Sequence, residues 1–288
     1  MNALQLIQFD DVHQFMNLVE PVLLQAEAIN NLMLGICKRL ETDPTFYGSL
    51  PFLAVVVDAD GLALAAVITP PHNVILYSPC EQVDAEVDLL IDHLIENNIA
   101  LPGVVGPVEL ASAFAGRWME RTGIPHRLGM AERAYMLRKV IPPPQPGGLI
   151  RLAIDEDADL LTAWSIDFQK EAVPDEYNPA AARRTVLLGI ETKRLYVWED
   201  GGKPVSEAIV TRPTQHGISV ALVYTPPELR RRGYASACVA AISQRMLDQG
   251  YEFCTLFTNL ANPISNSIYQ KIGYEPIGDF SMFLFGEE

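Results

Sequence analysis

The run Pro142-Pro143-Pro144-Gln145-Pro146-Gly147-Gly148 constrains this chain most. Four prolines fix φ and remove four backbone donors, and two glycines follow them. Neither a helix nor a paired strand can continue through such a segment. The chain has 288 residues, more than one ordinary domain, and the run lies near its middle. The sequence therefore predicts two domains, 1–141 and 149–288, joined by a linker over 142–148.

Composition narrows the classes open to those domains. Hydrophobic residues make up 49% and charged residues 20%, enough to bury a sizeable core. The longest apolar runs, such as Leu62–Ile68, are too short to span a bilayer. Met1-Asn2-Ala3-Leu4-Gln5 has no basic region and soon meets Asp10-Asp11, so no signal peptide is predicted and a cytoplasmic location is expected. The net charge is −15, with 17 acidic against 8 basic residues before the linker and 19 against 13 from the linker onward. Neither half suits nucleic acid or an anionic membrane surface, both of which need positive charge. Cys37, Cys80, Cys238 and Cys254 are scattered, without CxxC or a Cys/His cluster. No metal site is expected, and each cysteine reads as a reduced, buried small hydrophobe.

Periodicity orders the first half. Asp11 to Arg39 reads as two helices broken near Pro21 or Asn30-Asn31. Phe52–Val57 and Leu62–Thr69 flank Asp58-Ala59-Asp60-Gly61 as a hairpin. Val83–Glu96 has helical spacing, Gly103–Val108 is a strand, Glu109–Thr122 a helix and Ala134–Arg138 a strand. In the second half Ile150–Ala153 is a strand, and Asp157–Glu171 and Pro179–Glu191 are helices. Leu195–Glu199 and Pro204–Thr211 form a hairpin around Asp200-Gly201-Gly202. Ile218–Tyr224 is a strand, Arg231–Gln249 a helix, Phe253–Thr258 a strand, Pro263–Ile272 a helix, and Tyr274–Phe285 supplies closing strands. Ala111-Ser112-Ala113 and Ala235-Ser236-Ala237 each open a helix after a strand and a proline-containing turn, which suggests a duplication.

Chemistry concentrates between Val223 and Ser236. A β-branched strand runs into Pro226-Pro227, where it must end or splay. Arg230-Arg231-Arg232-Gly233 then leads into a helix opening with Tyr234, Ala235 and Ser236. Free amides at that helix N-terminus, with small residues in its first turn and arginines beside it, suit a diphosphate. Neither GxxxxGK[ST] nor GxGxxG is present, so the turn is not a nucleotide P-loop or a dinucleotide fingerprint.

A second segment is Asn262-Pro263-Ile264-Ser265-Asn266-Ser267-Ile268-Tyr269-Gln270-Lys271-Ile272-Gly273-Tyr274. Asn262 as N-cap, Pro263 behind it and Gly273 past the end delimit a short helix. Ile264, Ile268 and Ile272 form the expected core face. Asn262, Ser265 and Tyr269 form a neighbouring polar stripe, as on a helix lining a cleft.

Together these segments resemble the GNAT superfamily of acyl-CoA-dependent N-acyltransferases. The carriers are Arg230-x-x-Gly233-x-Ala235, matching its [Gln/Arg]-x-x-Gly-x-[Gly/Ala] loop, and the later Asn262, Tyr269 and Gly273-Tyr274, matching its Asn…Tyr…Gly-aromatic pattern. The resemblance covers about Gly148 to Phe285. It implies an α/β (α+β) fold with a mixed, centrally splayed sheet flanked by helices, here as two tandem related domains. It implies that amides of Arg231, Arg232, Gly233, Tyr234, Ala235 and Ser236 hold the CoA pyrophosphate, with Arg230 in the same motif. Thr225 would pair its backbone with pantetheine, Asn262 would contact pantetheine, and the Val223 amide would face the thioester carbonyl as an oxyanion donor. Tyr269 would face the sulfur as general acid.

The function implied is transfer of an acetyl group from acetyl-CoA, as co-substrate, to a primary amine by direct attack. The acceptor would be a small molecule or peptide, and the protein a monomer or homodimer. A lysine-like amine, pKa about 10.4, is neutral in only about one molecule in 10³–10⁴ at pH 7, so a base is the greater need. The strand Ile218–Tyr224 has no carboxylate; Glu207 and Glu171 are the candidates, beside a water chain. The first half lacks an equivalent loop: its turn reads Val105-Gly106-Pro107-Val108-Glu109, without arginines, which makes it a degenerate copy. Two other functions fit the same residues: an inactive acyl-CoA-binding sensor or scaffold, and an aminoacyl-tRNA-dependent transferase, which the acidic balance disfavours.

Overall fold

The structure, a computed structural model, describes residues 4–174 and 177–286. The chain forms two compact units, Met1–Arg133 with Gly278–Glu288, and Ala134–Ile277.

Unit 1 opens with strand β1 (Gln5–Phe9), helices α1 (Val12–Leu23) and α2 (Asn31–Thr42), and strands β2 (Phe52–Asp58), β3 (Gly61–Ile68) and β4 (Val74–Tyr77). Helix α3 (Asp84–Glu96), strand β5 (Gly103–Pro107), helix α4 (Val108–Thr122) and strand β6 (His126–Leu137) follow. Its sheet runs β1-β2-β3-β4-β5, antiparallel except for the parallel β4–β5 pair. Beyond β5 comes Phe280–Leu284 of the last strand, β12 (Glu275–Phe285), antiparallel to Gly103–Pro107. One sheet face packs on α1 and α2 through Phe15, Met16, Leu34 and Leu40. The other packs on α3 and α4 through Leu90, Leu94, Phe114 and Trp118.

Unit 2 repeats the order of unit 1 element for element. It contains β7 (Leu149–Leu152), α5 (Ala158–Ala172), α6 (Pro179–Glu191), β8 (Leu195–Asp200), β9 (Lys203–Thr211) and β10 (Gly217–Tyr224). Helix α7 (Tyr234–Asp248), β11 (Phe253–Asn259) and α8 (Pro263–Lys271) complete it. Its sheet runs β7-β8-β9-β10-β11 and then takes the end of β6 as its sixth strand. Here too the first four strands are antiparallel and the β10–β11 pair parallel. The sixth strand of each sheet therefore comes from the chain segment that closes the other run of elements.

Periodicity located most elements within a few residues. It missed β1 and β4 and caught only the end of β6. Pro21 stands inside α1 without ending it, because it occupies the last turn and forfeits one bond; the break falls between Leu23 and Asn31. Tyr274–Phe285 is one strand rather than several. Arg231 and Arg232 lie before α7, which begins at Tyr234. Cys37, Cys238 and Cys254 are buried, but Cys80 is exposed in the loop after β4, contrary to its reading as a core residue.

The repeated order also corrects the duplication signal. Ala111-Ser112-Ala113 lies in α4, whose counterpart is α8, whereas Ala235-Ser236-Ala237 lies in α7. Three small residues fit any helix packed closely on a sheet. The informative match is Tyr77-Ser78-Pro79 with Tyr224-Thr225-Pro226, each closing the fourth strand of its unit. The hydroxyl after each tyrosine reaches back to the third strand: Ser78 Oγ to the Ala63 carbonyl at 2.7 Å, and Thr225 Oγ1 to Ser206 Oγ at 2.9 Å.

Candidate active site

The cleft of unit 2 begins with Gly217. A Cβ there would fall 2.1 Å from the Phe253 ring, so only glycine lets β10 and β11 meet at this end. They pair in parallel over Gly217–Ser219 and Phe253–Thr255, and the register ends there. On its other side β10 pairs with β9 at Ala221 and again at Tyr224, with a bulge between. Leu222, at φ +50°, supplies the extra residue. A bulge leaves a residue unpaired and bends its strand, so Leu222 and Val223 stand outside the β9 register just where β10 parts from β11. Pro226 and Pro227 then end the ladder.

The turn that follows is held from several sides. Pro227–Leu229 makes one 3-10 turn. Arg230 Nε donates to the Thr225 carbonyl at 2.9 Å, and its Nη2 to Glu171 Oε2 at 2.7 Å. Arg231 is left-handed at φ +64° and Gly233 at φ +85°. Alternation of this kind turns successive N–H groups toward one side, a concavity suited to an anion. Gly233 is the N-cap of α7, and no side chain caps that end. The amides of Tyr234, Ala235 and Ser236 therefore stand free at the positive end of a fifteen-residue helix. A Cβ on Gly233 would meet only the Pro146 ring, at 3.9 Å, so the space before the turn is open. Tyr234 Oη donates to Asp200 Oδ2 at 2.6 Å, and Arg232 reaches the Glu228 carbonyl at 3.4 Å. The linker is not loose here: Trp198 Nε1 donates to the Gly147 carbonyl at 2.9 Å.

Helix α8 brings the third component. Asn262 Oδ1 accepts from the Ser265 amide at 3.1 Å, the N-cap its sequence position suggests, and the residue is exposed. Tyr269 is buried, 7% exposed, among Tyr135, Tyr274 and the α7 residues Ala237 and Cys238. Its hydroxyl has no hydrogen-bond partner among the described residues. Burial raises its pKa above the usual tyrosine value, and the neighbouring Cys238 adds to this. The phenol therefore keeps its proton at neutral pH. The expected core stripe is only partly right. Ile272 is fully buried, but Ile264 is 69% exposed, in a stretch, 261–264, that is exposed throughout at the start of α8.

Glu207 lies on β9 opposite Tyr224 and Val197, inside the protein. It is 0% exposed, and neither carboxylate oxygen has a hydrogen-bond partner among the described residues. Burial pushes its pKa well above the carboxylate range. Glu171, the other sequence candidate, closes α5 in the open; its Oε1 accepts from Tyr224 Oη at 3.3 Å. Burial first, and the Glu171 charge second, push the Tyr224 phenol up to about 12.

Ser206, Asp200, Tyr135 and Asn266 had no sequence signal. Ser206 Oγ donates to the Tyr224 carbonyl at 2.9 Å, pinning the strand end. Tyr135 Oη donates to Asn266 Oδ1 at 2.9 Å, and Asn266 Nδ2 donates to the Asn262 and Asn259 carbonyls. Each meets its partner only through folding.

In unit 1 the place of the Arg230–Gly233 turn is taken by Ser78-Pro79-Cys80-Glu81-Gln82-Val83, between β4 and α3. It contains no arginine, and Asp84 and Glu86 occupy the first turn of α3. That charge opposes an anion. No group of His, Cys, Asp and Glu among the described residues could hold a metal ion, and none of their helices is long and apolar enough to cross a membrane.

A mixed sheet with a splayed parallel pair and an uncapped, glycine-led helix at its mouth defines the class: this is the GNAT fold, present twice in tandem. Similar structures include a Drosophila protein, with TM-score 0.65 and 13% identity over 99% of this chain and 98% of that one. A GCN5-related N-acetyltransferase from Sphaerobacter thermophilus gives TM-score 0.63 and 16% identity over 96% and 94%. A tandem GNAT protein from the clavulanic acid biosynthesis pathway gives 0.58 and 12% over 99% and 98%. At these identities the likeness is one of fold. No curated protein matches the sequence. Residues 158–274 match the acetyltransferase (GNAT) family, and that match supports acyl transfer as the general chemistry of unit 2.

Proposed function

We propose that the protein is an N-acetyltransferase that moves an acetyl group from acetyl-CoA to a primary amine by direct attack. The observation that carries this reading is the uncapped turn Arg231–Ser236 at the mouth of a splayed strand pair, with the Tyr269 phenol buried against the same helix. The open space before Gly233 and the left-handed Arg231 and Gly233 suit the diphosphate of CoA. Unit 1, with an acidic turn at the same place, has no such site and serves another purpose.

The thioester supplies an activated acyl group with a good leaving thiol. The residues of this chain do the rest. Amides of Arg231 to Ser236 hold the diphosphate, while the Thr225 backbone and Asn262 guide the pantetheine arm. The Val223 amide, released from the β9 register by the bulge, donates to the carbonyl oxygen as negative charge develops on it. Tyr269 donates toward the sulfur. With its pKa above that of a thiol, about 8.5, it stabilises the leaving group by hydrogen bonding rather than by complete proton transfer.

Glu207 is the proposed acceptor of the amine proton. Burial raises its pKa above the carboxylate range, and it takes up a proton only in the ionised form. Its closed position calls for water to carry the proton. The same closed position favours a second reading, an acyl-CoA-binding protein without turnover.

Both readings are tested by titrating acetyl-CoA calorimetrically and measuring CoA release with a panel of small amines and amine-terminated peptides. Binding with release supports the transferase. Binding without release from any amine supports the second reading, and no binding refutes both.

A further inference from the structure

The motif arginine is not free to greet a diphosphate. Arg230 Nε is taken by the Thr225 carbonyl, and its Nη2 by Glu171 Oε2. Its guanidinium carbon also sits 5.6 Å from the centre of the Tyr224 ring. Arg230 is the last extended residue, φ −66° and ψ 164°, before the left-handed Arg231 that starts the concave turn. Fixing its side chain fixes the entry to that turn.

Glu171 completes the arrangement from α5. One oxygen accepts from Arg230 and the other from Tyr224 Oη, the side chain closing β10. One carboxylate thus ties the end of a helix to both the end of the splayed strand and the beginning of the turn. We infer that Glu171 is a positioning residue for the acyl-CoA site, holding Arg230 so that the turn Arg231–Ser236 keeps its binding shape. The inference rests on the acyl-CoA reading above.

The physical ground is preorganisation. A left-handed Arg231 is costly to hold, and an untied turn would have to order itself when the diphosphate arrives. The two charged side chains are 43% and 45% exposed, so the pair adds little to global stability. Its effect should therefore appear in binding and not in unfolding. Glu171 would act through Arg230, so removing either partner should remove the same contribution.

The test compares wild type with Glu171→Ala, Glu171→Gln, Arg230→Ala and the Glu171→Ala/Arg230→Ala double variant. Acetyl-CoA affinity, KM, kcat, its pH profile and the melting temperature are measured for each. Glu171→Ala should raise Kd and KM for acetyl-CoA about five- to tenfold while leaving kcat within about twofold. Glu171→Gln should weaken binding less, because an amide oxygen can still accept from Arg230. Melting temperatures should stay near wild type, and the double variant should bind no worse than Arg230→Ala alone. Unchanged affinity in Glu171→Ala, or fully additive losses, would overturn the inference. So would a fall in kcat with a shifted pH profile, the mark of a catalytic base. Failure of the wild type itself to bind acetyl-CoA would instead refute the underlying functional reading.

Discussion

Tyr234 Oη lies 2.6 Å from Asp200 Oδ2, so the first residue of α7 is fastened to the β8–β9 hairpin. The carboxylate accepts the phenol proton, and this hydrogen bond raises the tyrosine pKa. Arg230 and Glu171 hold the entry to the Arg231–Ser236 turn; Tyr234 and Asp200 hold the start of the helix that follows it. Tyr234→Phe keeps the ring in place and removes only the bond. It should raise KM for acetyl-CoA about two- to fivefold with kcat nearly unchanged, read from steady-state kinetics.

Tyr269→Phe should lower kcat by about 10²–10⁴ if the phenol is an essential donor to the departing sulfur. Acetyl-CoA affinity should change little, because the ring remains packed against Tyr135 and Tyr274. Single-turnover measurement separates the two effects, and a rate equal to wild type would remove Tyr269 from the mechanism. Its raised pKa also means that the wild-type rate should not fall near pH 10 through ionisation of this tyrosine.

Gly233→Val places a β-branched side chain at φ +85°, where an L-residue is strained by about 1–2 kcal/mol. The new methyl groups would also enter the open space before the turn. Calorimetry should find no acetyl-CoA binding, while circular dichroism and a melting temperature only a few degrees lower show that the domain still folds. Tight binding by this variant would refute the diphosphate assignment.

Glu207 should leave a signature in stability as well as in rate. Its folded pKa lies above its unfolded value, so the native state retains a proton that the unfolded chain releases. Stability therefore declines as pH rises from the unfolded pKa toward the folded one, by up to ~1.4 kcal/mol per pH unit. Glu207→Gln should remove that decline and raise the melting temperature at pH 7–8 relative to wild type. The same variant should lose the rise of kcat/KM with pH that a carboxylate base confers. An unchanged pH–rate profile would assign proton removal to water alone.

The site was legible wherever backbone chemistry decides it. Pro226-Pro227, Gly233 and the Asn262-Pro263 cap act through local rules of φ, missing donors and helix ends, and the structure places each in the conformation those rules require. Burial was harder to read. Ile264 and Cys80 look like core residues by type and spacing, yet each lies where no other element arrives to cover it. Glu207 looks like an available carboxylate, but its strand lies between two others and its side chain is wholly enclosed. Tyr77-Ser78-Pro79 became meaningful only when strand order placed it beside β3 as Tyr224-Thr225-Pro226 is placed beside β9.

The amino-acid order by itself determined most of the helices and strands, the break at Pro226 and the short helix bearing Tyr269. These depend on neighbours within a few residues, where sterics and hydrogen bonding act directly. Only the tertiary structure decided that Gly217 would meet Phe253, that Arg230 would be claimed by Glu171, fifty-nine positions earlier in the chain, and that each sheet would take its sixth strand from the distant end of the other run. Those outcomes depend on which surfaces meet when apolar faces leave water, and no local pattern encodes the partner.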